Sequence, residues 1–464
     1  MKSVRALTRF AFFVLAVLLP GRVFCEATMQ QILTNGPTDK RINIVVLSEG
    51  YTTADLERFP IDAERYLNHL LATPPFDEYR SYFNGFIISV ASAESGSDHP
   101  EQSEYRDTYF NSSYGTGDSV RLLSIPYGAS GRGKVDSLLR EFIPGYDLPI
   151  LLVNDAEWGG AGGTTTIVSR NSLAADAAVH ELGHTLAHLD DEYSSSWSGA
   201  DSAERANSTQ ETRREFIKWH RWIDDSTPIP TPETSDFEKE VGLFEGAHYH
   251  DTGWYRPRYN CKMNTIGAPF CEVCIEALVL SFYDHLNPID AFSPPNPAVT
   301  VANEPVALSV KPLQPETHTL DIQWFIDKSP VSGATSNEFV LSAESLAPGT
   351  YDVVAEVRDA TPLVRADPWK QLIDSHSWSV TVLGEPPKAP TPLPMPDLVA
   401  VQDSNGDFVI NLTGPLGSAY VVQTTSDFVT WETLVTVTNI TGRIQIFDPA
   451  ARQQSLRFYR AVPK

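Results

Sequence analysis

The run His-Glu-Leu-Gly-His at residues 180–184 constrains this chain more than any other feature. Residues four apart on an α-helix lie on one face, about 6 Å apart along the axis. His180 and His184 can therefore bind one metal ion, and the carboxylate of Glu181 can act on a water as a general base, as in zinc hydrolases. The apolar, proline-free flanks over 174–189 favour a helix. We predict a Zn²⁺ site with His180 and His184 as ligands and Glu181 as the catalytic residue.

The third ligand is less constrained by spacing. A catalytic zinc site uses three protein ligands and keeps one position for water. On a continuous helix His188 lies one turn beyond His184 and about 12 Å from His180 along the axis, which is too far to share the ion. If the helix ends near residue 188 and the chain turns back, Asp190, Asp191 and Glu192 all become available. The spacing alone leaves these three open. His248 and His250, further along the chain, are not assigned as ligands.

Charge and the N-terminus bear on location and partners. The formal net charge of −24 argues against nucleic acid and anionic membrane surfaces as partners.

Lys2, Arg5 and Arg9 precede an apolar run over 10–19, a pattern typical of a secretory signal peptide, predicted over 1–27. Ten apolar residues are too few to span a bilayer, and no later segment reaches that length. We predict a secreted protein, extracellular or in the cell envelope, with no membrane span.

The organisation of the chain follows from changes in pattern. Over 28–290 apolar strand-like runs alternate with helical patterns, which predicts an α/β zinc metallopeptidase domain. Five prolines in 287–305 indicate a linker. Short alternating strands then predict a β-sandwich over 298–383, which resembles immunoglobulin-like modules of secreted enzymes, and a smaller C-terminal β module over 398–464. A second proline-rich segment, 385–396, separates these two modules.

Three cysteines cluster near the end of the first predicted domain. In an exported protein a disulfide is the default, and we predict one from Cys261 to Cys271 or Cys274. The Cys271-x-x-Cys274 spacing is also compatible with redox chemistry or a second zinc ion. No fourth ligand is obvious from the sequence.

Several stretches together resemble the bacterial IgA-cleaving metallo-endopeptidase family. The likeness covers about residues 34–285 and excludes the β modules. It rests on HELGHTLAHLDDEY (180–193), RINIVVLSEGYT (41–52), Pro75-Phe76, FNGFIISVASAESGSDHP (83–100), NSSYG (111–115) and WYRPRYNCKMNTIGAPFCEVC (254–274).

The resemblance implies a metzincin-like α/β fold and favours Asp191 as the third zinc ligand, with Asp190 and Glu192 as alternatives. It places Met263 where a methionine turn would lie beneath the metal, and makes Tyr255 a candidate for stabilising an oxyanion. The metzincin pattern has glycine seven residues after the first histidine, where this chain has Ala187. The position of the turn after the helix is therefore not fixed by the pattern. Cleavage of IgA itself is not carried over.

Two functions from different classes are compatible with these features. The first is a secreted zinc-dependent endopeptidase acting on a protein or peptide substrate, for which the segment 164–169 could pair with an extended substrate strand. The second is a surface or matrix binding protein whose metal site is structural or catalytically inactive. Glu181 favours the enzyme, because a structural site has no need of a carboxylate beside its first ligand. The β modules could bind a surface, a glycan or a protein in either case.

Overall fold

The computed structural model describes residues 26–115, 120–194, 202–302, 304–383, 395–402, 407–454 and 456–464. Residues 1–25 of the predicted signal peptide and most of the second proline-rich segment lie outside these residues. No helix in the described part of the chain is long and apolar enough to cross a membrane. The chain divides into two compact units. The first comprises the described residues of Met1–Val299, Ala307–Val340 and Tyr351–Val380, and the second those of Thr300–Val306, Leu341–Thr350 and Thr381–Lys464.

A six-stranded sheet in the first unit positions the candidate site. Its order is β1-β3-β2-β4-β6-β5, with β2, β3, β4 and β6 parallel and β1 and β5 antiparallel to their neighbours. The central strands are buried along their length, as expected of parallel strands covered on both faces. The strands are β1 (Thr28–Leu33), β2 (Ile42–Glu49), β3 (Phe83–Ser89), β4 (Leu148–Val153), β5 (Gly160–Ala161) and β6 (Thr166–Ser169).

Four α-helices accompany this sheet, close to where the apolar periodicity predicts them. They are α1 (Phe59–Leu70), α2 (Arg132–Phe142), α3 (Ala174–Ala187) and α4 (Glu272–His285). Side chains of α1, α3 and α4 pack in one apolar core with every second residue of the central strands. Side chains of α2 pack in a second apolar core with the intervening residues of the same strands. Pro60 falls in the first turn of α1, where its missing N–H leaves no helical bond unmade.

The remaining strands form smaller sheets. In the first, β7 (Phe244–Ala247) pairs with β8 (His250–Arg256) as a hairpin. Two further sheets have the orders β10-β16-β15-β12-β13 and β14-β11-β9. Their strands are β9 (Ile289–Ser293), β10 (Ala298–Val301), β11 (Val306–Pro312), β12 (Asp321–Ile326), β13 (Ser329–Pro330), β14 (Glu338–Leu341), β15 (Gly349–Arg358) and β16 (Ile373–Val382). The proline-rich segment 287–305 thus carries β9 and β10 rather than a structureless linker.

The C-terminal segment contains two three-stranded sheets, of orders β17-β18-β21 and β20-β19-β22. They enclose a small apolar core around Ile410, Leu412, Tyr420 and Val422. The strands are β17 (Asp397–Gln402), β18 (Phe408–Thr413), β19 (Ala419–Thr425), β20 (Glu432–Thr438), β21 (Arg443–Phe447) and β22 (Phe458–Pro463). The limits of the individual domains stay predictions.

The predicted fold class, an α/β metzincin-like domain followed by two all-β modules, is wrong. The described residues form twenty-two strands in six sheets and only four α-helices, so β-structure dominates. The prediction extended the strand–helix alternation of 42–187 to residue 290. Between α3 and α4, however, the described residues contain only short 3₁₀ turns and the β7–β8 hairpin. The backbone N–H and C=O groups of this polar region form their hydrogen bonds in loops and turns rather than in further helices.

Candidate metal centre

Helix α3 carries both histidines on one face, as the sequence predicts. His180 is buried and the side chain of His184 is 26% exposed, so the site opens on the side of His184. The two Nε2 atoms lie 3.2 Å apart. A tetrahedral zinc ion with two nitrogen ligands at its usual bond length holds them about 3.3 Å apart. The side chains therefore already stand at the separation that a shared zinc ion requires.

Backbone carbonyls determine which nitrogen of each imidazole is free. The Nδ1 atom of His180 lies 2.9 Å from the carbonyl oxygen of Lys262, and that of His184 lies 2.6 Å from the carbonyl oxygen of Leu189. A carbonyl oxygen can only accept, so both Nδ1 atoms donate. In the neutral imidazoles each Nε2 then carries a lone pair. This is the tautomer that metal binding through Nε2 requires.

The end of α3 turns the chain back toward the histidines. The helix ends at Ala187, and His188 follows in the left-handed region with φ 50°. The amide of Leu189 then donates to the carbonyl of Gly183 at 3.1 Å, as in a left-handed helix cap. His188 itself is exposed. The predicted end of the helix near residue 188 is confirmed, although the left-handed residue is a histidine rather than the glycine usual there.

The structure separates the three acidic residues that spacing left open. Asp191 Oδ1 lies 3.2 Å from His180 Nε2 and 3.4 Å from His184 Nε2. The carboxylate of Asp190 instead faces His248, with 2.5 Å between Oδ2 and Nδ1. The carboxylate of Glu192 points away, toward Cys274. Only Asp191 of these three is brought to both histidines.

Asp191 Oδ1 is also a buried oxygen without a hydrogen-bond donor among the described residues. Burying an unpaired carboxylate oxygen is costly unless a cation compensates its charge. Although burial alone would raise it, the two imidazoles lower the pKa of Asp191 well below its usual range. For His184, burial acts to lower the pKa, but Asp191 outweighs burial and raises that pKa to about 9. In the metal-free protein the protonated imidazoles therefore pair with the Asp191 carboxylate, and a metal ion would take the place of the protons on the two Nε2 atoms.

The other oxygen of Asp191 is bound by a tyrosine that the sequence did not suggest. The hydroxyl of Tyr249 donates to Asp191 Oδ2. Tyr249 lies at the tip of the β7–β8 hairpin, whose two-residue loop is His248–Tyr249, with φ 52° and 62°. Two consecutive positive φ values are the pattern of a type I′ turn, which usually contains Asn-Gly and is strained for other residues.

Backbone hydrogen bonds hold this strained loop against the acidic segment. The amide of His248 donates to the carbonyl of Asp191 at 3.0 Å, and that of Tyr249 donates to the carbonyl of Tyr193 at 3.2 Å. The hairpin tip thereby positions the side chain that orients Asp191. Tyr255 lies on β8, where its backbone pairs with Thr209, and burial followed by the charge of Glu245 raises its pKa.

Glu181 follows His180 on α3, and one of its carboxylate oxygens lies within 4.8 Å of a ring nitrogen of each histidine. A Cβ atom at Gly162 would fall 2.1 Å from Glu181 Oε2, so a side chain at this position would displace the carboxylate. Burial raises the pKa of Glu181, with the neighbouring histidines acting in the opposite direction. A carboxylate with a raised pKa is closer to the value at which general bases work best near neutral pH.

Met263 packs against α3, and its place beneath the metal, which the resemblance implies, stays a prediction. It is fully buried, and its sulfur would meet a Cβ at Gly183 at 3.0 Å. The absence of a side chain at Gly183 is what allows this close packing. Within the segment 164–169, β6 pairs with β4 along one edge, and β5 covers Ile167 and Val168 on the other edge. A substrate strand could therefore pair with these two residues only by displacing β5.

Comparison with known proteins identifies the class. A family model described as IgA Peptidase M64 matches residues 30–240 and 233–282, more than half of the chain. The chain is thus a metallopeptidase-type protease, a hydrolase of a class that works with a metal. It belongs to the IgA peptidase M64 family, which confirms the resemblance noted from the sequence at the level of the family. No curated protein matches the chain.

Proposed function

We propose that this chain is a secreted zinc-dependent endopeptidase that hydrolyses peptide bonds of extracellular proteins. One observation carries the proposal. Asp191 Oδ1 is buried, makes no hydrogen bond of good geometry in the described part of the chain, and lies 3.2 and 3.4 Å from the Nε2 atoms of His180 and His184. Two imidazole nitrogens and one carboxylate oxygen form a donor set typical of catalytic zinc sites.

The donor set fits zinc in number, geometry and charge. His180, His184 and Asp191 would supply three of four tetrahedral positions and leave the fourth for water or substrate. When bound, the ion lowers the pKa of a water molecule and polarises the substrate carbonyl. The carbonyls of Lys262 and Leu189 hold the two imidazoles in the required tautomer, and Tyr249 holds Asp191.

Glu181 would move the protons of the reaction. Its carboxylate accepts a proton from the attacking water and passes it to the leaving amine, so that the amine departs as a neutral group. Burial raises the pKa of Glu181, which makes it a stronger base toward the attacking water and brings it closer to the value at which one group can both accept and return a proton near neutral pH. Gly162 keeps space for the carboxylate, and the open side at His184 gives a substrate access.

Export is proposed from the sequence of the N-terminus. Lys2, Arg5 and Arg9 followed by the apolar run 10–19 favour a signal peptide cleaved near residue 27. Fractionation of expressing cells and N-terminal sequencing of the exported protein test this point. Protein in the culture medium or envelope that begins near residue 26 or 28 supports export, and an intact N-terminus in the cytosol contradicts it.

Cleavage of a diverse peptide pool by the purified protein tests the activity. Wild type and Glu64→Gln, which changes an exposed carboxylate on α1, are expected to cleave the same bonds. Glu181→Gln is expected to lose at least about 100-fold in rate while it keeps its zinc, because general-base catalysis contributes 10²–10⁴-fold. A wild type that cuts no peptide, yet binds a zinc ion that His184→Ala loses, would instead favour the surface or matrix binding protein.

A further inference from the structure

Three cysteines and a glutamate meet in a second cluster behind the acidic segment. The side chains of Glu192, Cys261, Cys271 and Cys274 are buried, and one ligand atom from each lies within 4.8 Å of all the others. Cys274 Sγ is 3.2 Å from Glu192 Oε1, and Cys261 Sγ is 3.7 Å from Cys274 Sγ. Glu192 is the fourth potential ligand that spacing along the chain did not reveal.

The predicted disulfide from Cys261 to Cys271 or Cys274 is wrong, because all three thiols are free. Their spacing is that of a metal site. Two sulfurs on a tetrahedral zinc ion, each bonded at about 2.3 Å, lie about 3.8 Å apart. The sulfurs of Cys261 and Cys274 stand at 3.7 Å. Four ligands from the protein with no open position are characteristic of structural rather than catalytic zinc.

The surroundings favour a cation at the centre of this cluster. Glu192 is fully buried, and its Oε2 has no hydrogen-bond donor among the described residues. Its other oxygen accepts from Asn207 at 2.9 Å, which leaves the carboxylate half satisfied. A buried carboxylate next to buried cysteine thiolates is costly unless a positive charge compensates their negative charges.

Helix α4 presents two of the thiols in a suitable way. Cys271 is the N-cap of α4 and Cys274 lies in its first turn, so both sulfurs stand at the positive end of the helix dipole. The helix N-terminus favours thiolates over thiols, and thiolate is the form that binds a metal. The Cys-x-x-Cys spacing across a helix start is also common among zinc ligand pairs.

We propose that Glu192, Cys261, Cys271 and Cys274 hold a second metal ion, a structural zinc. This site is separate from the donors on α3 and does not depend on the proposed function. It bears directly on the catalytic centre, however. Cys261 is followed by Lys262, whose carbonyl fixes the imidazole of His180. Glu192 follows Asp191, and its amide donates to the carbonyl of Met263 at 2.8 Å.

Metal counting on the purified full chain is the first test. Elemental analysis is expected to give two zinc ions per chain in wild type and one in Cys271→Ser. His184→Ala removes the ion at α3 and is also expected to retain one. Glu272→Gln is the matched control, because Glu272 adjoins Cys271 but pairs with Arg258 outside the cluster. It should retain two ions. One ion in wild type, lost in His184→Ala and kept in Cys271→Ser, would overturn the proposal.

Cobalt substitution distinguishes the two sites by their ligands. Sulfur-to-cobalt charge-transfer absorption in the near ultraviolet is expected in wild type and in His184→Ala, and its loss is expected in Cys271→Ser. This band reports only the thiolate site, because His184→Ala changes the site on α3 alone. If the chain proves not to be a peptidase, the band is still expected. Absence of the band in cobalt-loaded wild type would contradict a thiolate site.

A measurement on wild type alone guards against variants that fail to fold. Alkylation under denaturing conditions with a chelator, followed by peptide mass spectrometry, should find Cys261, Cys271 and Cys274 all as free thiols. Titration of the native protein with a mercurial reagent should release one zinc ion as these thiols react. A disulfide between any two of the three, or reaction without release of zinc, would refute the proposal.

Discussion

The Nδ1 atom of His180 lies 2.9 Å from the carbonyl oxygen of Lys262, the residue after Cys261. This contact joins the two clusters of potential metal ligands. Lys262 is held in turn, because its ammonium lies 2.8 Å from Asp176 Oδ1 in the first turn of α3 and its amide donates to the carbonyl of Pro269. The orientation of the first histidine therefore depends on a segment anchored both to its own helix and to the buried thiols.

Replacement of Asp191 tests the third ligand. Asp191→Asn keeps the shape of the side chain but removes the charge facing the two imidazoles. We expect zinc affinity to fall at least about 100-fold, because loss of a ligand should cost more than the 10- to 100-fold typical for loss of a hydrogen bond to a ligand. Asp190→Asn is the matched control, because the carboxylate of Asp190 faces His248 instead. Competition with a fluorescent zinc chelator measures both. Equal losses in the two variants would refute the assignment of Asp191.

Tyr249 tests whether the hairpin tip supports the metal centre. Tyr249→Phe removes the hydroxyl that donates to Asp191 Oδ2, and we expect about 10- to 100-fold lower zinc affinity or activity, as is typical when a ligand loses its hydrogen-bond partner. Tyr105→Phe, at an exposed tyrosine away from the hairpin, should change either quantity less than about threefold. Zinc affinity and peptide cleavage rate are measured for both variants. The prediction fails if Tyr249→Phe changes neither quantity more than Tyr105→Phe does.

Gly162 tests the space that the general base needs. A Cβ there would lie 2.1 Å from Glu181 Oε2, so Gly162→Ala should displace the carboxylate and lower kcat by about 10- to 100-fold, since even small misplacement of a reacting group is costly. Zinc content should stay unchanged. Gly145→Ala is the control, because a Cβ at Gly145 meets no atom within 4 Å. Unchanged kcat in Gly162→Ala would argue against Glu181 as the base.

The affinity of the α3 site for zinc should depend on pH. In the metal-free protein, burial acts to lower the pKa of His184 but Asp191 raises it to about 9, and the pKa of His180 is raised as well. Both imidazoles must lose their protons when they bind a metal. Below pH 9 binding therefore competes with protons, and affinity should rise steeply with pH and level off near pH 9. Affinity that is flat between pH 7 and 9 would contradict the prediction.

The local pattern was enough to predict part of the candidate site. The spacing of His180 and His184 places them on one face, because a helix repeats every 3.6 residues, and Glu181 stands next to the first of them. Asp191 could not be chosen from spacing alone, since the turn depends on a left-handed residue at His188, which is uncommon outside glycine. The resemblance supplied that choice. Tyr249 was missed because it is 58 residues from Asp191 and no periodic signal connects them.

The cysteine cluster and the fold class show a different reason for failure. The three thiols were interpreted from the compartment, where disulfides are common, while their fourth neighbour Glu192 precedes Cys261 by a long polar segment. The individual elements over 42–187 agree with the helices and strands that the apolar patterns predict. Fold class depends instead on the segments between such elements, and loops and small sheets leave much weaker patterns in a sequence.

The two-residue loop His248–Tyr249 has a consequence for the tolerance of the chain to insertions. Side chains along a strand alternate between faces, so the loop length decides which face of β8 each residue occupies. One added residue in this loop would exchange the two faces of β8 and withdraw the tyrosine from Asp191. Substitutions here can be graded in effect, whereas a change of length would be all-or-none. Homologous chains that conserve the metal centre should therefore conserve the two-residue length of this loop together with its tyrosine.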